Sequence, residues 1–211
     1  EITPGIGRMI LSGHMIGEVK KEKLVTTGGA KGGDLLVLVK GVCIEGTSIV
    51  AREREAELLA KGVSPLLIEK ARNFIFDPGI DILRPARVAT DAVPIHSMHD
   101  PTEGGLINGV VEMAWASEKE ITVDLEKVYI YEEAMILCRE YGLDPLGVIA
   151  SGALLLTIAS SDLPALKNAF EKTSIPLQVI GQVKEGPARA LRGDGREIEP
   201  LSRDEILKIY K

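Results

Sequence analysis

The chain has 211 residues, 45% of them hydrophobic, and a formal net charge of −6 from 25 basic and 31 acidic side chains. That length makes one large domain or two small ones and buries about 70% of the unfolded surface without staples. The acidic balance excludes a general nucleic-acid binder, which needs a basic face to displace counterions. No apolar run reaches the roughly 18 residues of a membrane span and no basic-then-apolar leader opens the chain, so neither a span nor a signal peptide is expected; the sparse cysteines make a reducing, cytoplasmic setting the default.

The elements follow in chain order. "EITPGIGRMI" holds Pro4, Gly5 and Gly7 and is expected to be a linker, over residues 1–12, entering from something upstream. "HMIGEV" and "KLVTT" have the look of short strands around the charged turn "KKEK". "DLLVLVKG" is a continuous apolar run of strand length, the pattern of a buried strand. From Thr47 the apolar spacing predicts a helix that stops near Gly62. Ser64 and Pro65 then form an N-cap and first-turn pair for the next helix. Pro85 blocks a regular helix across residues 77–93, so a short helix is expected on one side of it.

"PIHSMH" is a predicted strand and Thr102 to Ser117 a helix. "EITVDL", "GALLLTIA", "PLQVIGQVKEG" and "ARAL" are further strands, with a hairpin turn at "RGDGR". "YEEAMILCREYG" and "SDLPALKNAFEK" are helices, and Ser202 with Glu205 has capping-box spacing for a C-terminal helix over 201–211. Strands and helices mix without strict alternation. The expected fold class is therefore α/β (α+β), one layered domain over 13–200 with a mixed sheet and flanking helices.

The two cysteines, Cys43 and Cys138, fit no zinc spacing and are expected to be small core hydrophobes in a reducing setting. Two glutamines and three asparagines among many Glu and Lys make a composition found in heat-adapted proteins. No nucleophile elbow or Walker spacing occurs. His14 and His96, in predicted strands, are expected to be packed or exposed rather than ligating.

The stretch "HDPTEGG" supports two accounts. Asp100, Pro101 and Glu103 have the spacing of a capping box at a helix start. Gly104 and Gly105 fall outside that account, since glycine in a first turn costs roughly 1 kcal/mol relative to alanine. Close approach of a backbone or a ligand would tolerate them, and the free N–H groups of a helix start favour a phosphate or carboxylate, with His99 and Thr102 as added donors. A packing contact explains the glycines as well. "KGVCIEGTSIVA" repeats the grammar, strand then Gly41 and Gly46 then helix, with Glu45 and Thr47 at the opening. Thr47 or Ser48 as a plain N-cap is the alternative there. Two such junctions suggest a shared polar cleft.

Taken in order, "TTGGAKGGDLLVLVKGVCIEGTSIVARE", "MHDPTEGGLINGVVEMA" and "YGLDPLGVIASGALLLTI" resemble the C-terminal domain of the aminoimidazole ribonucleotide (AIR) synthase, or PurM-like, superfamily, nearest its hydrogenase expression/formation (HypE) branch. The resemblance implies two domains in the full protein. The N-terminal one, expected upstream of Glu1, binds ATP and magnesium and makes a homodimer. The present domain closes the cleft over a small-molecule or carbamoyl-type substrate. It implies an amide-like oxygen activated by phosphoryl transfer, and a hydrogenase-maturation partner. His99, Asp100, Thr102, Gly104 and Gly105 would form one substrate or phosphate wall, and Gly41, Glu45, Gly46 and Thr47 another. No catalytic residue is assigned, no metal ligand is expected here, and the chain alone is expected to take no cofactor and to be inactive. A non-catalytic module docking a maturation protein is the alternative. Two departures stand out: the branch reads "DPTRGG" where this chain has Glu103, and its members end in a cysteine-bearing tail where this chain ends "DEILKIYK". The first puts an acid at the mouth of the anion site; the second leaves the carbamoyl-carrying step without its cysteine.

Overall fold

A computed structural model describes residues 12–14 and 16–210. One six-stranded sheet organises them. Its strands are β1 (Leu35–Val39), β2 (Ser97–His99), β3 (Glu120–Val123), β4 (Leu154–Ile158), β5 (Leu177–Lys184) and β6 (Arg189–Arg192), in the spatial order β2-β4-β1-β5-β3-β6. Every pairing is antiparallel except β3 with β6, so the sheet is mixed, as expected.

The two central strands show why the apolar runs are unbroken. Leu36 and Leu38 of β1 and Leu155 of β4 face one core, while Val37, Val39, Leu154, Leu156 and Ile158 face a second. A strand covered on both faces has no side to give to water, so its pattern is continuous rather than alternating. The first core is closed by α1 (Ile44–Glu53), α3 (Pro65–Arg72), α5 (Gly105–Ser117) and α6 (Glu132–Tyr141), and the second by α4 (Leu83–Ala92) and α7 (Leu163–Glu171). The layers are helix, sheet, helix. Among the described residues, no helix is long and apolar enough to cross a membrane.

Several expectations change. The strands predicted in "HMIGEV" and "KLVTT" do not form among the described residues. Ile16 is 96% exposed, and the segment meets the sheet edge at Thr26, which makes a single bridge to Ser97, and at Thr27, whose carbonyl accepts from Ser97 Oγ at 2.6 Å. A strand needs a partner ladder, and β2, only three residues long, offers too short an edge to extend one. The helix placed from Thr47 begins three residues earlier, at Ile44, and Arg54 divides it from α2 (Glu55–Ala60). Helix α4 runs through Pro85, which lies in its first turn, where a missing N–H forfeits no helical bond. Of the linker expected over 1–12, all but Ser12 lies outside the described residues. The C-terminal element is a 3-10 helix, Glu205–Tyr210, starting too late for a Ser202–Glu205 capping box.

One buried polar pair ties the sheet edge to β1. Asp34 is 3% exposed; its carboxylate accepts from the Lys31 N–H at 2.9 Å and lies 2.9 and 3.0 Å from His96 Nδ1. Removing the imidazole leaves a buried carboxylate short of a partner. His96→Ala is expected to lower stability by about 1.5–3 kcal/mol, the scale for hydrogen bonds to charged groups. Urea unfolding at neutral pH measures this, and an unchanged midpoint would show the pair to be dispensable.

Candidate functional site

The two glycine-bearing junctions meet. The chain between α6 and β4, residues 144–152, passes between the start of α1 and the start of α5. A Cβ on Gly46 would lie 2.1 Å from Val148 Cγ1, and one on Gly105 would lie 2.5 Å from the carbonyl oxygens of both Leu146 and Val148. The loop is bonded to both elements of the second junction: the Ile107 N–H donates to the Leu146 carbonyl at 3.2 Å, and the Ala150 N–H to the Thr102 carbonyl at 3.2 Å. Gly104 and Gly105 are both left-handed, at φ 76° and 61°, a conformation that side chains disfavour by roughly 1–2 kcal/mol.

The capping box does not form at this junction. The helix starts at Gly105 with Gly104 as its cap, and Asp100 lies too far upstream to reach the first free N–H groups. Those groups are filled from elsewhere in the chain. The Gly104 N–H donates to Asp204 Oδ2 at 2.7 Å, the Gly105 N–H to the Thr102 carbonyl at 3.0 Å, and the Ile107 N–H to Leu146. A carboxylate does sit at the helix start, and it belongs to the C-terminal segment.

Asn108 fastens that segment. Its Oδ1 accepts from the Leu201 N–H at 2.8 Å, and its Nδ2 donates to the Leu201 and Glu103 carbonyls at 3.3 Å each. Glu205 adds a bond from its own N–H to the Gly147 carbonyl and accepts from the Asp144 N–H. Neither Asn108 nor Asp204 was visible as a site residue from the sequence. The rarity of asparagine was the one available hint, because Leu201, which takes two of its three bonds, lies 93 residues away.

The predicted site residues therefore divide. Asp100, Thr102 and Glu103 have exposed side chains with no side-chain bond among the described residues, although the Thr102 backbone is tied to two elements. His99 turns along α5, its Nε2 2.8 Å from Glu112 Oε2. Gly104 and Gly105 are scaffold. At the other junction Glu45 is half-buried in the first turn of α1, and Gly46 packs on Val148. Thr47 is buried and donates back to the Cys43 carbonyl at 2.5 Å, so neither it nor Ser48, whose Oγ bonds to the Arg72 carbonyl, is an N-cap. Cys43 holds that position.

Gly41 lies behind Tyr129 and Tyr131, which line a cleft of about 450 Å³ with Phe74, Asp77 and Glu133. The structure thus joins the two junctions through the loop, while Gly41 and Thr47 face interior packing rather than the helix start of α5.

Two groups near Gly41 are shifted by burial. Lys40 is 6% exposed, and its Nζ donates to the Gly79 and Asp81 carbonyls at 2.8 and 2.7 Å. Burial lowers its pKa, against an upward pull from Asp81. Burial also pushes the Tyr131 hydroxyl up to about 12. The unfolded chain ionises this group from about 10, so its contribution to stability is complete below pH 10 and is lost as pH rises through about 12.

The profile of the family described as "AIR synthase related protein, C-terminal domain" matches residues 31–194, and the chain belongs to that family. A protein of Methanocaldococcus jannaschii provisionally described as a hydrogenase expression/formation protein is 26% identical over 167 residues, 77% of this chain and 45% of that protein. Carbamoyl dehydratase HypE of Rhizobium leguminosarum bv. viciae is 28% identical over 129 residues, 58% of this chain and 37% of that enzyme. The chain spans less than half the length of these relatives. Among solved structures, HypE in complex with ATP superposes with a TM-score of 0.62 at 19% identity, covering 90% of this chain and 57% of that one. Thiamine monophosphate kinase of Aquifex aeolicus gives 0.60 at 21% identity, covering 83% and 55%. At these identities the likeness is one of fold, and the three-layer architecture is shared.

Two measurements test the geometry. Gly105→Ala is expected to cost about 2–5 kcal/mol, from left-handed strain plus overpacking against two carbonyls. Gly62→Ala, left-handed at φ 84° but open around its Cβ, should cost only about 1–2 kcal/mol. Equal losses in urea unfolding would show that the loop gives way. In an ultraviolet titration of the folded protein, Tyr131→Phe should delete one tyrosine that ionises at about 12; loss of an ordinary transition near 10 instead would contradict its burial.

Proposed function

We propose that this chain is the substrate-side half of a HypE-like, ATP-dependent enzyme that activates an amide-like oxygen by phosphoryl transfer. The observation that carries this reading is the set Asp100, Thr102 and Glu103: polar side chains without structural duties, displayed on a backbone that glycines and buried carbonyls hold rigidly. A preorganised loop with free polar ends is what a binding wall requires.

The chemistry of the wall favours the substrate over the nucleotide. Asp204 already takes the Gly104 N–H, and Asp100 and Glu103 add carboxylates to the same mouth. A triphosphate does not fit that arrangement, and no three His, Cys, Asp or Glu side chains converge on a metal position among the described residues. On this reading ATP and magnesium would be held by an N-terminal ATP-binding domain. Carboxylates and a hydroxyl suit a ligand that carries N–H donors, such as a carbamoyl or other amide group. The chain's own residues would orient that group so that its oxygen faces the nucleotide.

The Asp204 contact also favours a second reading. A helix start closed by the chain's own carboxylate needs no ligand, and a non-catalytic module that docks a maturation protein would look the same. One solved relative of this fold is HypE in complex with HypF, at a TM-score of 0.54. A homodimer made through the N-terminal domain accompanies the first reading.

Phosphate release from ATP by the full-length protein, with a carbamoyl donor present, separates the two. Asp100→Asn is expected to lower kcat/KM roughly 10–100-fold without changing thermal stability, the scale of a lost positioning contact. The 211-residue chain alone should show no turnover above buffer. Turnover by the isolated chain that Asp100→Ala abolishes would overturn the division of labour. An unchanged rate in full-length Asp100→Asn would favour the docking module.

A further inference from the structure

We propose that Cys43 and Cys138 form a redox pair that closes to a buried disulfide between the start of α1 and α6. They are the only cysteines in the sequence, and 95 positions separate them. Cysteines serving only as small core hydrophobes have no need to meet. These two lie with their sulfurs 3.7 Å apart, in van der Waals contact, at 0% and 2% exposure. The remaining approach is about 1.7 Å to the usual bond length.

The surroundings hold the pair in place. Cys43 occupies the N-cap of α1 in the left-handed conformation, φ 62°, which directs the chain from β1 into the helix. Its carbonyl accepts from Thr47 Oγ1, whose oxygen also lies 3.7 Å from the Cys43 sulfur. Cys138 sits on the inner face of α6, against α1. The hydrogen bond with Cys43, and then burial, push the Cys138 thiol up. Exchange in the closed core is accordingly slow, and closure belongs to folding or to a transient parting of α1 from α6.

The step balances with a low-molecular-weight disulfide as oxidant. One cysteine thiolate attacks a sulfur of the oxidant, whose S–S bond breaks and releases one thiol. The second cysteine then attacks the mixed disulfide, forms the Sγ–Sγ bond and releases the second thiol. Two electrons and two protons pass from the pair to the oxidant. The bond closes a long loop, so the denatured chain loses more freedom than a short link would remove. This inference stands apart from the proposed catalytic role.

The experiment is refolding of the intact chain from denaturant, once with excess oxidised glutathione and once with reductant, followed by denaturing alkylation and intact mass. The oxidised sample should be monomeric, lighter by two hydrogens, unalkylated, and higher in Tm by roughly 10 °C. Cys43→Ala and Cys138→Ala should each lose the shift, so that failure of one variant to fold leaves the other as the control. Two alkylated thiols in folded, oxidised protein would overturn the proposal, as would stable glutathione adducts or a disulfide formed only between chains.

Discussion

The constraint on which the rest of the structure depends is the passage of residues 144–152 between two helix starts. Carbonyl oxygens of Leu146 and Val148 occupy the space where a side chain at position 105 would be, and Val148 occupies the space beside position 46. Backbone that enters a core must have its polar groups satisfied. Here the Leu146 carbonyl and the Ala150 N–H find partners on the α5 junction itself, at Ile107 and Thr102. The loop is thus at once core filler and hydrogen-bond partner. Without glycines at 46 and 105 it would be shut out of the first core, where Val148 and Ala150 are packed.

This account also explains which parts of the sequence were legible. Continuous apolar runs at Leu35–Val39 and Leu154–Ile158 announced buried strands, because burial on both faces leaves a pattern independent of partners. Helix α6, ending at Tyr141 before Gly142, was equally plain. Local rules failed where the deciding partner was distant. Asp100 and Glu103 have the spacing of a capping box, but Asp204, a hundred positions away, takes the cap's place. Ile16 and Val19 look like strand residues, yet no ladder reaches them and they lie exposed.

The candidate site shows the same divide more sharply. The sequence singled out the stretch 99–105, and the structure gives its members different work. Glycines and carbonyls build the turn, His99 pairs with Glu112, and Asp100, Thr102 and Glu103 are left facing solvent. The second stretch, 41–47, turned inward because α1 starts at Ile44, which moves Thr47 from a loop into the second half of a helical turn. A shift of three residues at a helix start decides whether a hydroxyl meets a ligand or a carbonyl.

The tie of Asn108 to Leu201 has a consequence for the way such a domain changes over time. It fixes the backbone around the mouth by contacts that do not involve the outward side chains at 100, 102 and 103. The interior ties and the exposed polar groups are carried by different atoms of one short segment. On the proposed reading, replacing the outward side chains would alter which molecule the mouth attracts while every interior contact stays in place. A fold arranged in this way would acquire a new substrate by surface substitution alone, leaving relatives with one architecture free to diverge in what they act upon.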